Sequence, residues 1–131
     1  MNYLKTFEQL NNELDDLYIS LQEIFPFSYK DDNIMLFSNK LKDDKPNVWG
    51  IEDGIYSLKL KIVDNTIVIV AIANQSGPLG LGFKVITKLH DFAIDNGYKI
   101  VINNDESMGF WDRVIKKFDD GIISINPLFS A

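Results

Sequence analysis

The chain has 131 residues, 46% of them hydrophobic, and its 13 basic and 19 acidic side chains give a formal charge of -6. That length suits a single domain over residues 1–131 with an ordinary hydrophobic core. The absence of cysteine excludes disulfides, thiolate metal sites and cysteine nucleophiles, one histidine (His90) argues against metal binding or a Ser-His-Asp triad, and the acidic balance argues against nucleic acid or an anionic membrane as partner.

The start, Met1 to Glu8, has no basic region followed by an apolar run, and the longest apolar run, Ile67 to Ala73, is far too short to span a bilayer. A cytoplasmic protein is the expectation. Phe7, Leu10, Leu14, Leu17, Leu21 and Ile24 recur at spacings of three and four, which predicts an amphipathic helix over 4–25, stopped by Pro26. The pattern suits a helix laid on a sheet. It also suits a two-chain seam and so a homodimer.

Ile34 to Ser38 reads as a short strand, and the charged stretch Asn39 to Asn47, with Pro46, as a mobile loop. Ile55 to Ile62 alternates apolar and polar residues, as a half-solvated strand does. Ile67 to Ala73 is apolar throughout, as a strand covered on both faces is, and Asp64-Asn65 suits a tight turn between the two. Gly77-Pro78-Leu79-Gly80-Leu81-Gly82 is a glycine-rich turn leading into a helix with Phe83, Ile86, Leu89, Phe92 and Ala93 on one face, and Asn96-Gly97 ends that helix. A strand over Lys99–Asn103 follows. Asn104 or Asp105 caps a further helix with Met108, Trp111, Val114, Ile115 and Phe118 inward, Gly121 closes it, and Ile122 to Ile125 forms a last strand. The order predicts a mixed α/β sheet with helices on both faces.

The strand, Gly-x-x-Gly-x-Gly turn and helix start together form an anion-binding arrangement: glycines admit a ligand to the backbone, and first-turn amides point outward at the positive end of the helix dipole. No Gly-Lys-Ser/Thr follows, so it is not a Walker loop. The late position and the Asn103-Asn104 strand end do not suit a dinucleotide fold.

The segment Val70 to Gly82 resembles the central motif of the GNAT superfamily of N-acetyltransferases, in which a core strand leads into Gln/Arg-x-x-Gly-x-Gly/Ala at a helix start. Asn104, Phe110 and Arg113 keep the spacing of that family's second segment, with Ser107 at its small-residue position. The resemblance spans roughly residues 55 to 118. It implies an α/β fold with a central mixed, mostly antiparallel sheet flanked by helices, and an acetyl-CoA (or CoA) ligand. It implies that Ala71, Ile72 and Ala73 offer backbone groups to the pantetheine, and that Gly77, Leu79, Gly80, Leu81, Gly82 and Lys84 surround the diphosphate, with Asn104 and Phe110 beside the ligand. The implied activity is acetyl transfer to a small-molecule or protein amine, for which an acidic surface suits a cationic acceptor. An alternative is a degenerate fold serving as a protein-binding or inhibitory module.

The chain departs from the family pattern in several places. Gly77 stands where the family has Gln or Arg, Pro78 removes an amide, and Lys84 is the nearest cation. Trp111 occupies the place of the family's tyrosine acid and has no labile proton of suitable pKa. A strand closing the sheet would come from Leu128 onward or from another subunit. Glu52 and Asp53 are candidates for the base, or a solvated pair in a turn. Tyr56 either faces the cleft or covers the sheet, and Trp49 either packs under the charged loop or lines an acceptor pocket. Trp111 is either core or a wall beside the thiol. Ser107 and Asp105 read as caps, and His90 as a surface residue or one behind the site.

Overall fold

The computed structural model describes residues 7–48, 54–74, 80–103 and 110–125. In chain order the elements are α1 (Phe7–Gln22), β1 (Phe27–Asp31), β2 (Ile34–Ser38), β3 (Leu41–Lys42), β4 (Lys45–Pro46), β5 (Tyr56–Val63), β6 (Thr66–Asn74), α2 (Leu81–Asn96), β7 (Lys99–Ile102), α3 (Phe110–Lys117) and β8 (Ile123–Ile125). Six strands form one mixed, mostly antiparallel sheet in the order β1-β2-β5-β6-β7-β8, and β3 and β4 form a separate small hairpin. The pairs from β1 to β6 are antiparallel, and β7 and β8 run parallel to β6. Parallel neighbours need crossovers, which α2 and α3 supply.

The register separates the two faces. Met35, Leu60, Ile69 and Ile102 are partnered across four strands and all are buried. The adjacent row, Ile34, Lys61, Val68, Val101 and Ser124, points the opposite way and is half-buried to exposed. The buried strand residues of the core belong to the first face. Leu17 and Leu21 of α1, Val85, Ile86, Leu89 and Ala93 of α2, and Trp111 and Val114 of α3 pack with them. The expected helices on both faces are thus not found, and the helices share one side. Two right-handed crossovers stepping the same way along a sheet put both helices on the same face, and α1 fills the remaining width. Leu17 and Leu21 are fully buried, so the second half of α1 lies on the sheet.

The first half holds one strand that the sequence reading did not propose and one expectation that is corrected. Phe27–Asp31 is a strand (β1) paired with β2 through an Asp32-Asn33 turn in which Asp32 takes φ 48°. The stretch expected to be a mobile loop contains the β3–β4 hairpin, turned by Asp43 and Asp44 at φ 53° and 64°. Aspartate tolerates the left-handed region better than most side chains, so two consecutive aspartates can make the reversal. The hairpin lies over the β1–β2 end of the open face, with the Lys45 ammonium 4.8 Å from the Tyr29 ring centroid and Pro46, Asn47 and Val48 buried. Strand β6 is also less covered than expected: Ile67 and Ile69 are buried, whereas Val68 and residues 70–73 are half-buried.

Candidate functional site

The glycine-rich turn follows β6, and β6 changes character halfway along. Lys59 partners Ala71 and Leu60 partners Ile69, so Val70 is an extra residue, a β-bulge. On the other side, β7 partners only Thr66 to Ile69, and the Asn103 amide donating to the Ile69 carbonyl at 3.1 Å is the last link. Among the described residues nothing bonds the β7-side edge of β6 from Val70 to Asn74. The bulge at Val70 lies where the described β6–β7 pairing ends, at the carboxyl ends of the two parallel strands. That is the end of a parallel sheet at which ligands bind.

The first described residue of the turn, Gly80, is the N-cap of α2 at φ 80°, with no side-chain cap and open space where a Cβ would stand. The carbonyl of Gly80 accepts the Lys84 amide at 3.1 Å, the first bond of the helix. Among the described residues no acidic side chain in the first turn compensates the positive end of the outward amides. Lys84 is exposed in that turn. Sequence reasoning missed a second cation: Lys117 at the end of α3 places its ammonium 5.2 Å from the Phe83 ring centroid. A separation of 34 residues hides that approach from any local motif.

The sequence-selected residues divide into three groups. Ala71, Ile72 and Ala73 lie on the bulged half of β6, with Leu81, Gly82 and Lys84 in the first turn of α2 beyond it. Tyr56 stands opposite Asn74 at the same end of the sheet. Its ring packs against Phe25 at 5.8 Å, so it covers the helix-bearing face. Asn39, which the sequence did not suggest, fixes this corner: its side chain accepts the Tyr56 amide at 2.9 Å and donates to the Gly54 carbonyl at 2.7 Å, and its own amide donates to the Tyr56 carbonyl at 3.1 Å.

Trp111 and His90 form the second group. Trp111 is 1% exposed and is a core residue. His90, expected at the surface or behind the site, is buried at 8% exposure. Its Nε2 lies 2.6 Å from Asp120 Oδ2, and its ring is 4.6 Å from that of Phe118. The Asp120 carboxyl is held below the usual carboxylate range, first by the Ile122 amide it accepts and then by His90, with partial desolvation opposing both.

The third group, Trp49, Glu52, Asp53, Gly77, Leu79, Asn104, Asp105 and Ser107, lies outside the described residues, as do Leu128 and the expected closing strand. Phe110 opens α3. Among the described residues no cluster of three metal-ligating side chains occurs, and no helix is long and apolar enough to cross a membrane. Compared with known proteins, the chain matches no family model, no curated protein and no solved structure.

Proposed function

We propose that the chain is a divergent GNAT-type acetyltransferase that binds acetyl-CoA along the β7-side edge of β6 beyond Ile69 and transfers the acetyl group to an amine. The observation that carries this reading is the early end of the β6–β7 pairing at Ile69 and Ile102, with a bulge at Val70 and an uncapped helix start beyond it. An extended amide-bearing chain such as pantetheine pairs with a free strand edge as another strand would. The backbone from Val70 to Asn74 offers that edge. A diphosphate would accept from the first-turn amides around Gly80 to Gly82, with Lys84 and Lys117 adding positive charge near that helix start. A thioester carbonyl placed along this edge is polarised by a backbone amide near Ile72, which needs no side chain. With Trp111 buried in the core, the departing thiolate takes its proton from solvent or from the ammonium product.

A second reading, a related fold kept as a binding or inhibitory module, is favoured by the same buried Trp111 and by the chain's net charge of -6. Titration calorimetry with acetyl-CoA separates the two. Micromolar binding supports the first reading, and no heat at millimolar ligand leaves the second. The control uses two substitutions at Gly80, because its φ of 80° strains any side chain. Gly80→Asn and Gly80→Asp carry similar backbone strain, but only Asp adds a negative charge at the phosphate position. A binding loss much larger for Asp than for Asn is the expected result. Equal affinities would move the ligand away from this turn.

A further inference from the structure

The open sheet face and the α1–α2 groove differ in charge, and the difference points to a partner. The open sheet face carries Lys61 and Lys99, both exposed and both without an acidic partner among the described residues, beside the half-exposed Val68 and Val101 and the 44% exposed Val63. On the opposite side, α1 and α2 enclose a groove of about 350 Å3 lined by Asp16, Ser20, Lys88, Asp91, Phe92 and Asp95, among others. The groove's one lysine is already engaged, 3.1 Å from Glu23 and 3.4 Å from Ser20. Asp16, Asp91 and Asp95 have no cation partner among the described residues. One helical turn on from Asp16 and Asp91 stand Ile19 and Ile94, 58% and 53% exposed.

We propose that the open sheet face of one copy docks on the α1–α2 groove of a second copy of this chain. Each face supplies what the other lacks, unpaired lysines beside valines on one and unpaired aspartates beside isoleucines on the other. Lys61 and Lys99 lie two strands apart and two residues apart along them, roughly 12 Å between Cα atoms. The contact joins different faces, so it is heterologous, and each docked pair leaves one free face of each kind. Assembly is therefore open-ended unless the rotation closes a ring. Four strands of this sheet present roughly 500 Å2 of plane, at the small end of specific interfaces, so the association is weak and strengthens with concentration and with falling salt.

Sedimentation velocity on the full chain tests this, from roughly 10 μM to 1 mM, a range suited to an interface of this size, at low and high ionic strength. The wild type should grow beyond a monomer as concentration rises, and added salt should reverse the growth. Lys61→Glu with Lys99→Glu turns the sheet face acidic, and Asp91→Lys with Asp95→Lys turns the groove basic. All four positions are exposed, so the fold tolerates the changes. Each double variant alone should stay monomeric, because its two faces now repel. An equimolar mixture should assemble as the wild type does, because every cross-contact pairs opposite charges again. A wild type that stays monomeric throughout, as it would if the sheet face served a foreign acidic partner, overturns the proposal. So do double variants that still assemble alone, or a mixture that does not recover.

Discussion

The two faces of the sheet contain neighbouring residues of the same strands but do opposite work. On the helix-bearing face, Leu58, Leu60, Ile67, Ile69, Ile100 and Ile102 are each at most 2% exposed, and three helices pack against them. On the other face, one residue along each strand, Lys59, Lys61, Val68, Val101 and Ser124 remain half-buried or exposed. A strand reverses its side chains at every step, so one backbone serves both purposes. Stability is concentrated on one side, and the other is free to vary with whatever it meets.

The largest test of that division removes side chains from matched places. Leu60→Ala deletes a fully buried group at the centre of the sheet and should cost about 3 kcal/mol of unfolding free energy. Val68→Ala, on the adjacent strand but facing outward, should cost about 1 kcal/mol or less, because neighbours and water fill the space. Urea denaturation of both variants reads the difference. Equal losses would mean that the outward face is as firmly packed as the core and that the asymmetry is one of charge alone.

The next test lies where the helix layer rejoins the sheet. Gly97 ends α2 in the left-handed region at φ 75°, and its amide and that of Tyr98 both donate to the Ala93 carbonyl, at 2.9 and 3.0 Å. Gly97→Ala meets no atom within 4 Å, so its cost is conformational only, about 1 kcal/mol. Gly97→Asn should recover part of that loss, since asparagine enters this region more readily than alanine. Thermal melts of the pair check it. An alanine variant as stable as the wild type would show that the corner can turn another way.

Those results bear on what was legible in the letters. Gly97, the Asp64-Asn65 turn and the two long strands were readable because a local conformation and a local pattern agree there. Strand β1 was not, because Phe27-Ser28-Tyr29-Lys30-Asp31 is polar at alternate positions on the very face that meets α1: Ser28 accepts from Gln22 at 2.8 Å, and Lys30 pairs with Asp15 at 2.6 Å. Those polar side chains are satisfied by a helix whose position no local window reveals. Placing all helices on one side depends on the order β6-β7-β8, a property of the whole chain. At the candidate site, the glycine turn and the strand before it were visible, whereas the bulge at Val70 is visible only once β5 is laid beside β6. The clamp at Asn39 and the approach of Lys117 to Phe83 are likewise tertiary facts.

His90 shows the same limit and leads to the smallest expected effect, at the outer corner where α3 turns into β8. Asp120 accepts the Ile122 amide at 3.1 Å through one oxygen and meets His90 at 2.6 Å through the other. Its carboxyl therefore titrates lower in the folded chain than in the unfolded one, with the Ile122 amide the main cause. A carboxyl lowered in this way stabilises the fold at pH above its unfolded value of about 3.9. That contribution fades as pH falls toward and through the folded value, where both states become protonated. Asp120→Asn keeps the shape and an acceptor for Ile122 but removes the charge. Its urea midpoint should sit slightly below that of the wild type at neutral pH, and the gap should narrow steadily as the solution is acidified below the unfolded carboxyl value. A gap of constant size down to strong acid would assign the corner's stability to shape and hydrogen bonding, with no share from the charge that His90 faces.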